Sequence, residues 1–75
     1  MYIVFGRHNC RYCIDAQQLL TQRRLNFKFY DITTAQGQQM YPSYRSLVPL
    51  THTTVPIVFL ERNFIGGFTE LQKIV

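Results

Sequence analysis

Apolar residues open the chain as a short continuous run, Tyr2-Ile3-Val4-Phe5, and Gly6-Arg7-His8-Asn9 interrupts it with turn-forming residues. A β-branched and aromatic run bounded in this way predicts a buried strand leading into a loop. From Arg11 to Arg24 there is neither Gly nor Pro. Cys13, Ala16 and Leu20 recur at spacings of three and four, with Leu19 widening the stripe, while Gln17, Gln18, Gln22 and Arg23 fall mostly elsewhere. That period predicts an amphipathic helix of about three to four turns, with Asn9 as its cap. Asn26 marks a turn, and Phe27-Lys28-Phe29-Tyr30-Asp31-Ile32 predicts a second strand with Phe27, Phe29 and Asp31 on one side of the alternation. Strand, helix and strand at this spacing form a βαβ unit, whose two strands run parallel.

The second half is less periodic. Thr34 is placed to cap a helix through Ala35, Gln39 and Met40, but Gly37 weakens it and Pro42 should end or kink it near Tyr41, so Thr33 to Leu47 predicts one broken helix or two short ones. Val48 to Thr54 contains Pro49 and reads as a loop. Pro56-Ile57-Val58-Phe59-Leu60 predicts a strongly apolar strand, joined through Glu61-Arg62-Asn63 to Phe64-Ile65 as an antiparallel hairpin. Gly66-Gly67 ends the hairpin, and Phe68 to Val75 predicts a last helix of about two turns, with Leu71 and either Ile74 or Val75 facing inward. The order is βαβαββα, an α/β pattern in a single domain over residues 1–75.

Size agrees with one modest core, since a chain of 75 residues buries only about 60% of its unfolded surface. No run approaches the roughly 18 to 20 apolar residues of a membrane span, and the first apolar run is too short for a secretory signal, so a cytoplasmic protein without membrane contact is expected. The net charge of +4 arises from scattered basic residues. It favours an anionic ligand or an acidic partner but lacks the clustered stripe of a nucleic-acid binder.

Cys10 and Cys13 are the two cysteines. A single close pair is a poor staple for a core; it is a reactive dithiol, half of a metal site, or an inert pair of core fillers. A dithiol needs one thiolate to attack a disulfide and a second thiol to resolve the product. Two intervening residues at a helix start supply both, making Cys10 the nucleophile and Cys13 the resolving thiol one turn inward. The unpaired N–H groups and positive dipole end of the helix favour the Cys10 thiolate, with Arg7 and Arg11 placed to add positive charge. The metal alternative would join both cysteines to His8 and His52 as a four-ligand zinc set.

Cys10-Arg11-Tyr12-Cys13 with Ala16 and Leu19-Leu20, then Thr54-Val55-Pro56, then Gly66-Gly67-Phe68-Thr69-Glu70-Leu71 resembles the glutaredoxin family over nearly the whole chain. The resemblance implies a thioredoxin-like fold with a four-stranded mixed sheet in the order 2-1-3-4, flanked by helices. It implies a glutathione-dependent enzyme that reduces protein disulfides and glutathione mixed disulfides. Pro56 would be cis, and Val55 would offer its backbone to the cysteine part of glutathione. Arg7 and His52 would lie near the ligand's glycine carboxylate, with His52 equally open to being an ordinary loop histidine. Tyr12 would flank the exposed sulfur. Thr54, Gly67, Phe68, Thr69 and Glu70 would complete the pocket, N–H groups at the start of the last helix binding a carboxylate and Glu70 the ammonium.

Arg11 departs from the proline common in dithiol members, and relatives lacking that proline include some that bridge two subunits with a [2Fe-2S] cluster. The short last helix matches the smallest members, including donors to ribonucleotide reductase. Two competitors therefore stay open beside a monomeric glutathione-dependent enzyme: a dithiol donor reduced by thioredoxin reductase, and an iron-sulfur or zinc-binding module.

Overall fold

The computed structural model describes all residues from Met1 to Val75. Along the chain it forms β1 (Tyr2–Gly6), α1 (Arg11–Gln22), β2 (Phe27–Asp31), α2 (Ala35–Met40), α3 (Pro42–Arg45), β3 (Ile57–Leu60), β4 (Asn63–Gly66) and α4 (Phe68–Ile74). One sheet holds the strands in the order β2-β1-β3-β4. β1 and β2 are parallel, with Tyr2 opposite Phe27 and Gly6 opposite Asp31. β3 runs antiparallel to β1, and β4 antiparallel to β3 with an irregularity between Val58 and Phe59. This is the thioredoxin-like arrangement expected from the motifs.

The alternation of β1 splits the core between the two faces of the sheet. Val4 packs with Ala16, Leu20, Val58 and Leu71 beneath α1 and α4. Ile3 and Phe5 face the other way and pack with Ile57 and Phe59. There the Phe5 ring meets Tyr30, Tyr41 and Tyr44 at centroid distances of 5.6, 5.0 and 5.2 Å, so the aromatic residues of β2, α3 and the α2–α3 junction close that side. Full burial of a side chain the size of Val, Leu or Phe stabilises by about 1.5–3 kcal/mol.

The details differ from expectation where local bonding overrides pattern. α1 begins one residue later than an Asn9 cap would place it, because Cys10 is the capping residue and its sulfur accepts the Cys13 N–H. α1 ends at Gln22, and Arg24 adopts the left-handed region at φ 57°. β2 stops at Asp31, whose carboxylate accepts the Thr33 N–H and hydroxyl and so turns the chain. Thr34 then caps α2 as predicted, accepting the Gly37 N–H at 3.1 Å, and Pro42 opens the separate helix α3. β3 starts at Ile57, since Pro56 has no N–H for a ladder. At the end of α4, Val75 packs onto the core, whereas Ile74 is exposed.

Candidate active site

The loop after β1 delivers the first cysteine to the mouth of α1. Cys10 has extended backbone angles, and its carbonyl accepts the Ile14 N–H at 3.0 Å, starting the helix. Its Sγ accepts the Cys13 N–H at 3.3 Å and lies 3.8 Å from the Val55 carbonyl oxygen, to which a thiol at Cys10 donates. The sulfur is thus partly exposed at the positive end of the helix, where backbone N–H groups stabilise an anion. One turn inward, Cys13 is fully enclosed. Its thiol is pushed up to about 12 by burial first and then by the neighbouring Cys10 sulfur, so it rests protonated. The two sulfurs therefore differ in access.

Asp31 anchors the loop between them and β1. Its carboxylate accepts the Thr33 hydroxyl at 2.6 Å and N–H at 2.8 Å, and the His8 N–H at 3.1 Å, and it also contacts His8 Nδ1. Thr33 first, and His8 after it, hold the Asp31 carboxyl down at about 2. The sequence signal for this anchor is an acid at the register of a strand that otherwise carries Phe27 and Phe29 on that side, and it belongs to none of the three motif blocks.

Val55–Pro56 is a cis peptide bond, and it faces the Cys10 sulfur through the Val55 carbonyl. Beside it opens a cleft of about 330 Å³. One wall carries Tyr12 and Phe68, whose rings stack at 6.0 Å between centroids with planes 27° apart. His52, Thr54 and Pro56 also line the cleft, as do Gly67, Thr69 and Glu70 at the start of α4. The His52 ring is fixed by its Nε2 contact with the Pro56 carbonyl at 3.3 Å and by an edge-on packing against Phe64. Glu70 turns back so that Oε1 accepts the Gly67 N–H at 2.8 Å. That bond chiefly, with Lys73 and His52 adding charge, holds its carboxyl below the usual range. Gly66 permits the return: at φ 136°, a Cβ there would lie 2.7 Å from Glu70 Cγ.

All the ligand residues expected from the motifs line this cleft except Arg7 and Val55. Val55 meets the Cys10 sulfur directly, and Arg7 is exposed on the loop before it. Two expectations need correction. Arg11 donates to the Asp15 carboxylate one turn along α1, at 3.2 Å, so its charge is engaged there. His8 and His52 do not join the cysteines: His8 is held by Asp31 and Phe29, and His52 by Pro56 and Phe64. No group of three or more His, Cys, Asp or Glu side chains converges, which removes the four-ligand set.

Comparison with known proteins places these features in a wider set. A family model described as Glutaredoxin matches residues 2–65. The "Probable glutaredoxin" of Acanthamoeba polyphaga mimivirus is 35% identical over 79 residues, covering 96% of this chain and 74% of that protein. The crystal structure of glutaredoxin 1 from Francisella tularensis, complexed with cacodylate, superposes with a TM-score of 0.75 at 32% identity, covering 96% of this chain and 87% of that one. Other relatives are longer: the chain spans 45% of the mitochondrial glutaredoxin-2 of Bos taurus, at 26% identity.

Proposed function

The chain belongs to the glutaredoxin family of thiol-disulfide oxidoreductases, and from that premise we propose that Cys10 and Cys13 carry electrons from glutathione to protein disulfides and glutathione mixed disulfides. The observation that carries this is the asymmetry of the pair. Cys10 Sγ is accessible at the helix mouth, 3.8 Å from the Val55 carbonyl, while Cys13 is enclosed.

With a protein disulfide, the Cys10 thiolate attacks one sulfur, forms a mixed disulfide and expels the other sulfur as a thiolate. Cys13 then passes its proton to the expelled thiolate and attacks the Cys10 sulfur, displacing the second substrate sulfur, which takes a proton from water, so that the substrate leaves as a dithiol and the Cys10–Cys13 disulfide remains. Burial chiefly, and the Cys10 sulfur after it, hold the Cys13 proton in place until that attack. Two glutathiones then restore the dithiol and leave as glutathione disulfide. With a glutathionylated protein, Cys10 takes the glutathione itself, and a second glutathione removes it without Cys13.

The cleft supplies the glutathione site. The ligand's central cysteine lies along Val55 with its sulfur at Cys10 and beside the Tyr12 ring, its γ-glutamyl end toward Thr69 and Glu70, and its glycine carboxylate toward Arg7 and His52. The enzyme works as a monomer in a reducing compartment such as the cytoplasm, and a ribonucleotide reductase is one candidate disulfide substrate. A bridging [2Fe-2S] cluster plays no part in this cycle; iron content and visible absorbance of the purified protein test that directly.

Cys13→Ser tests the assignment. Glutathione-dependent deglutathionylation should persist while reduction of a protein disulfide falls by at least about tenfold. Equal loss of both activities contradicts the roles given to the two sulfurs.

A further inference from the structure

We propose that Gly6 is a positioning residue for the second thiol, its missing side chain being the seat of the Cys13 sulfur. This rests on Cys13 being the resolving thiol. A Cβ built on Gly6 would lie 2.5 Å from Cys13 Sγ, 3.2 Å from Cys13 Cβ and 3.2 Å from Phe29 Cε1. Sulfur and carbon do not approach so closely, so the last residue of β1 must be a glycine for Cys13 to sit where it does.

The backbone of Gly6 cannot retreat to make room. It pairs with Asp31 in the β1–β2 ladder, and its carbonyl accepts the Ile32 N–H at 2.8 Å. Nor does α1 lift freely from the sheet, since Ala16 and Leu20, on the same face of the helix as Cys13, are fully buried against Val4, Val58 and Leu71. The sulfur is thus clamped between a fixed strand end and a packed helix turn. A left-handed backbone is not the reason for the glycine, because Gly6 lies in the sheet with ordinary strand pairing.

The seat serves the reduced state in particular. Both cysteines are free thiols here, with the Cys13 sulfur against Gly6 and the Cys10 sulfur at the helix mouth, so a Cys10–Cys13 bond requires the Cys13 sulfur to turn from this seat toward Cys10. A methyl group at residue 6 therefore penalises the dithiol more than the disulfide. The couple concerned is Cys10–Cys13 disulfide plus two glutathiones, in balance with the dithiol plus glutathione disulfide, and the glycine biases it toward the dithiol.

The test is Gly6→Ala in the full chain. Titration against glutathione redox buffers should show the equilibrium moved toward the Cys10–Cys13 disulfide by about threefold or more. Reaction of Cys10 with a small glutathione mixed disulfide should stay within about twofold of the parent, since the atoms nearest a side chain at Gly6 belong to Cys13 and Phe29. In the reduced state Gly6→Ala should lower Tm by about 5 °C or more, and at least half of that loss should vanish when Cys13→Ala is combined with it. An unchanged equilibrium, a shift toward the dithiol, or the same Tm loss in both backgrounds overturns the proposal. If Gly6→Ala alone fails to fold, the double variant must fold, and its failure overturns the proposal as well. A parent protein that never forms the Cys10–Cys13 disulfide would instead refute the functional reading, so the two failures are distinguishable.

Discussion

Gly37→Ala sets two effects of opposite sign against each other. In the interior of α2, exchange of glycine for alanine favours the helix by about 1 kcal/mol on propensity alone. A Cβ at this position, however, would lie 1.8 Å from the Asp31 carbonyl oxygen, 2.5 Å from its carbon and 3.0 Å from Ile32 Cα. All three are backbone atoms, so relief requires α2 to lift from the end of β2 by about 1.5 Å to reach ordinary contact. That displacement strains the start of the helix, where Thr34 Oγ1 both donates to the Asp31 carbonyl at 2.7 Å and accepts the Gly37 N–H at 3.1 Å. Overpacking of this kind costs about 1–3 kcal/mol and loss of the cap about 1 kcal/mol more. After the propensity gain, the net is a loss of about 1–3 kcal/mol. At roughly 4–8 °C per kcal/mol for a domain of this size, Tm should fall by about 5–20 °C. Thermal unfolding followed by circular dichroism measures it, with Gln36→Ala on the same helix as the control. A Tm equal to or above the parent value would refute the steric argument.

Asp31→Asn probes the anchor of the active-site loop. The folded carboxyl, at about 2, lies below its ordinary 3.8. The ionised group therefore stabilises the fold above about pH 4, and that contribution is lost as pH falls from about 4 through 2. The urea midpoint of the parent should exceed that of the variant at neutral pH, with the gap closing over that window; a gap independent of pH contradicts the assignment. Tyr12→Ala removes the ring stacked on Phe68. By the size of an aromatic pair it should raise KM for a glutathione mixed disulfide about three- to tenfold with kcat nearly unchanged, as steady-state kinetics will report; a loss confined to kcat would place Tyr12 outside the binding surface.

Much of the fold was legible because it depends on period. Ala16 and Leu20, set on one helix face by their spacing, and Leu71, expected to face inward, are buried together with Val4 of the first strand. The features that were not legible depend on a partner distant in sequence. Asn9 looked like the cap of α1, but the course of that loop is fixed by Asp31, more than twenty residues later, and it brings the Cys10 sulfur to the Cys13 N–H. Gly37 read as a weak point in a helix because the atom that forbids a side chain belongs to another element. Ile74 and Val75 were equivalent by pattern; Arg23 of the helix α1 end bonds the Val75 carbonyl at 2.7 Å and holds the terminus against the core. At the site, the motifs located the cleft residues, whereas the direction of the Arg11 side chain was settled by Asp15, a choice open to any exposed arginine with an acid one turn away.

The proposed cycle depends on a difference in reactivity between the two sulfurs, and alkylation of the reduced protein by iodoacetamide near pH 7, followed by peptide mapping, measures it. Cys10 should be modified at least about tenfold faster than free glutathione, with Cys13 untouched until the chain unfolds. Modification of Cys13 first, or a Cys10 rate no greater than that of free glutathione, would contradict it.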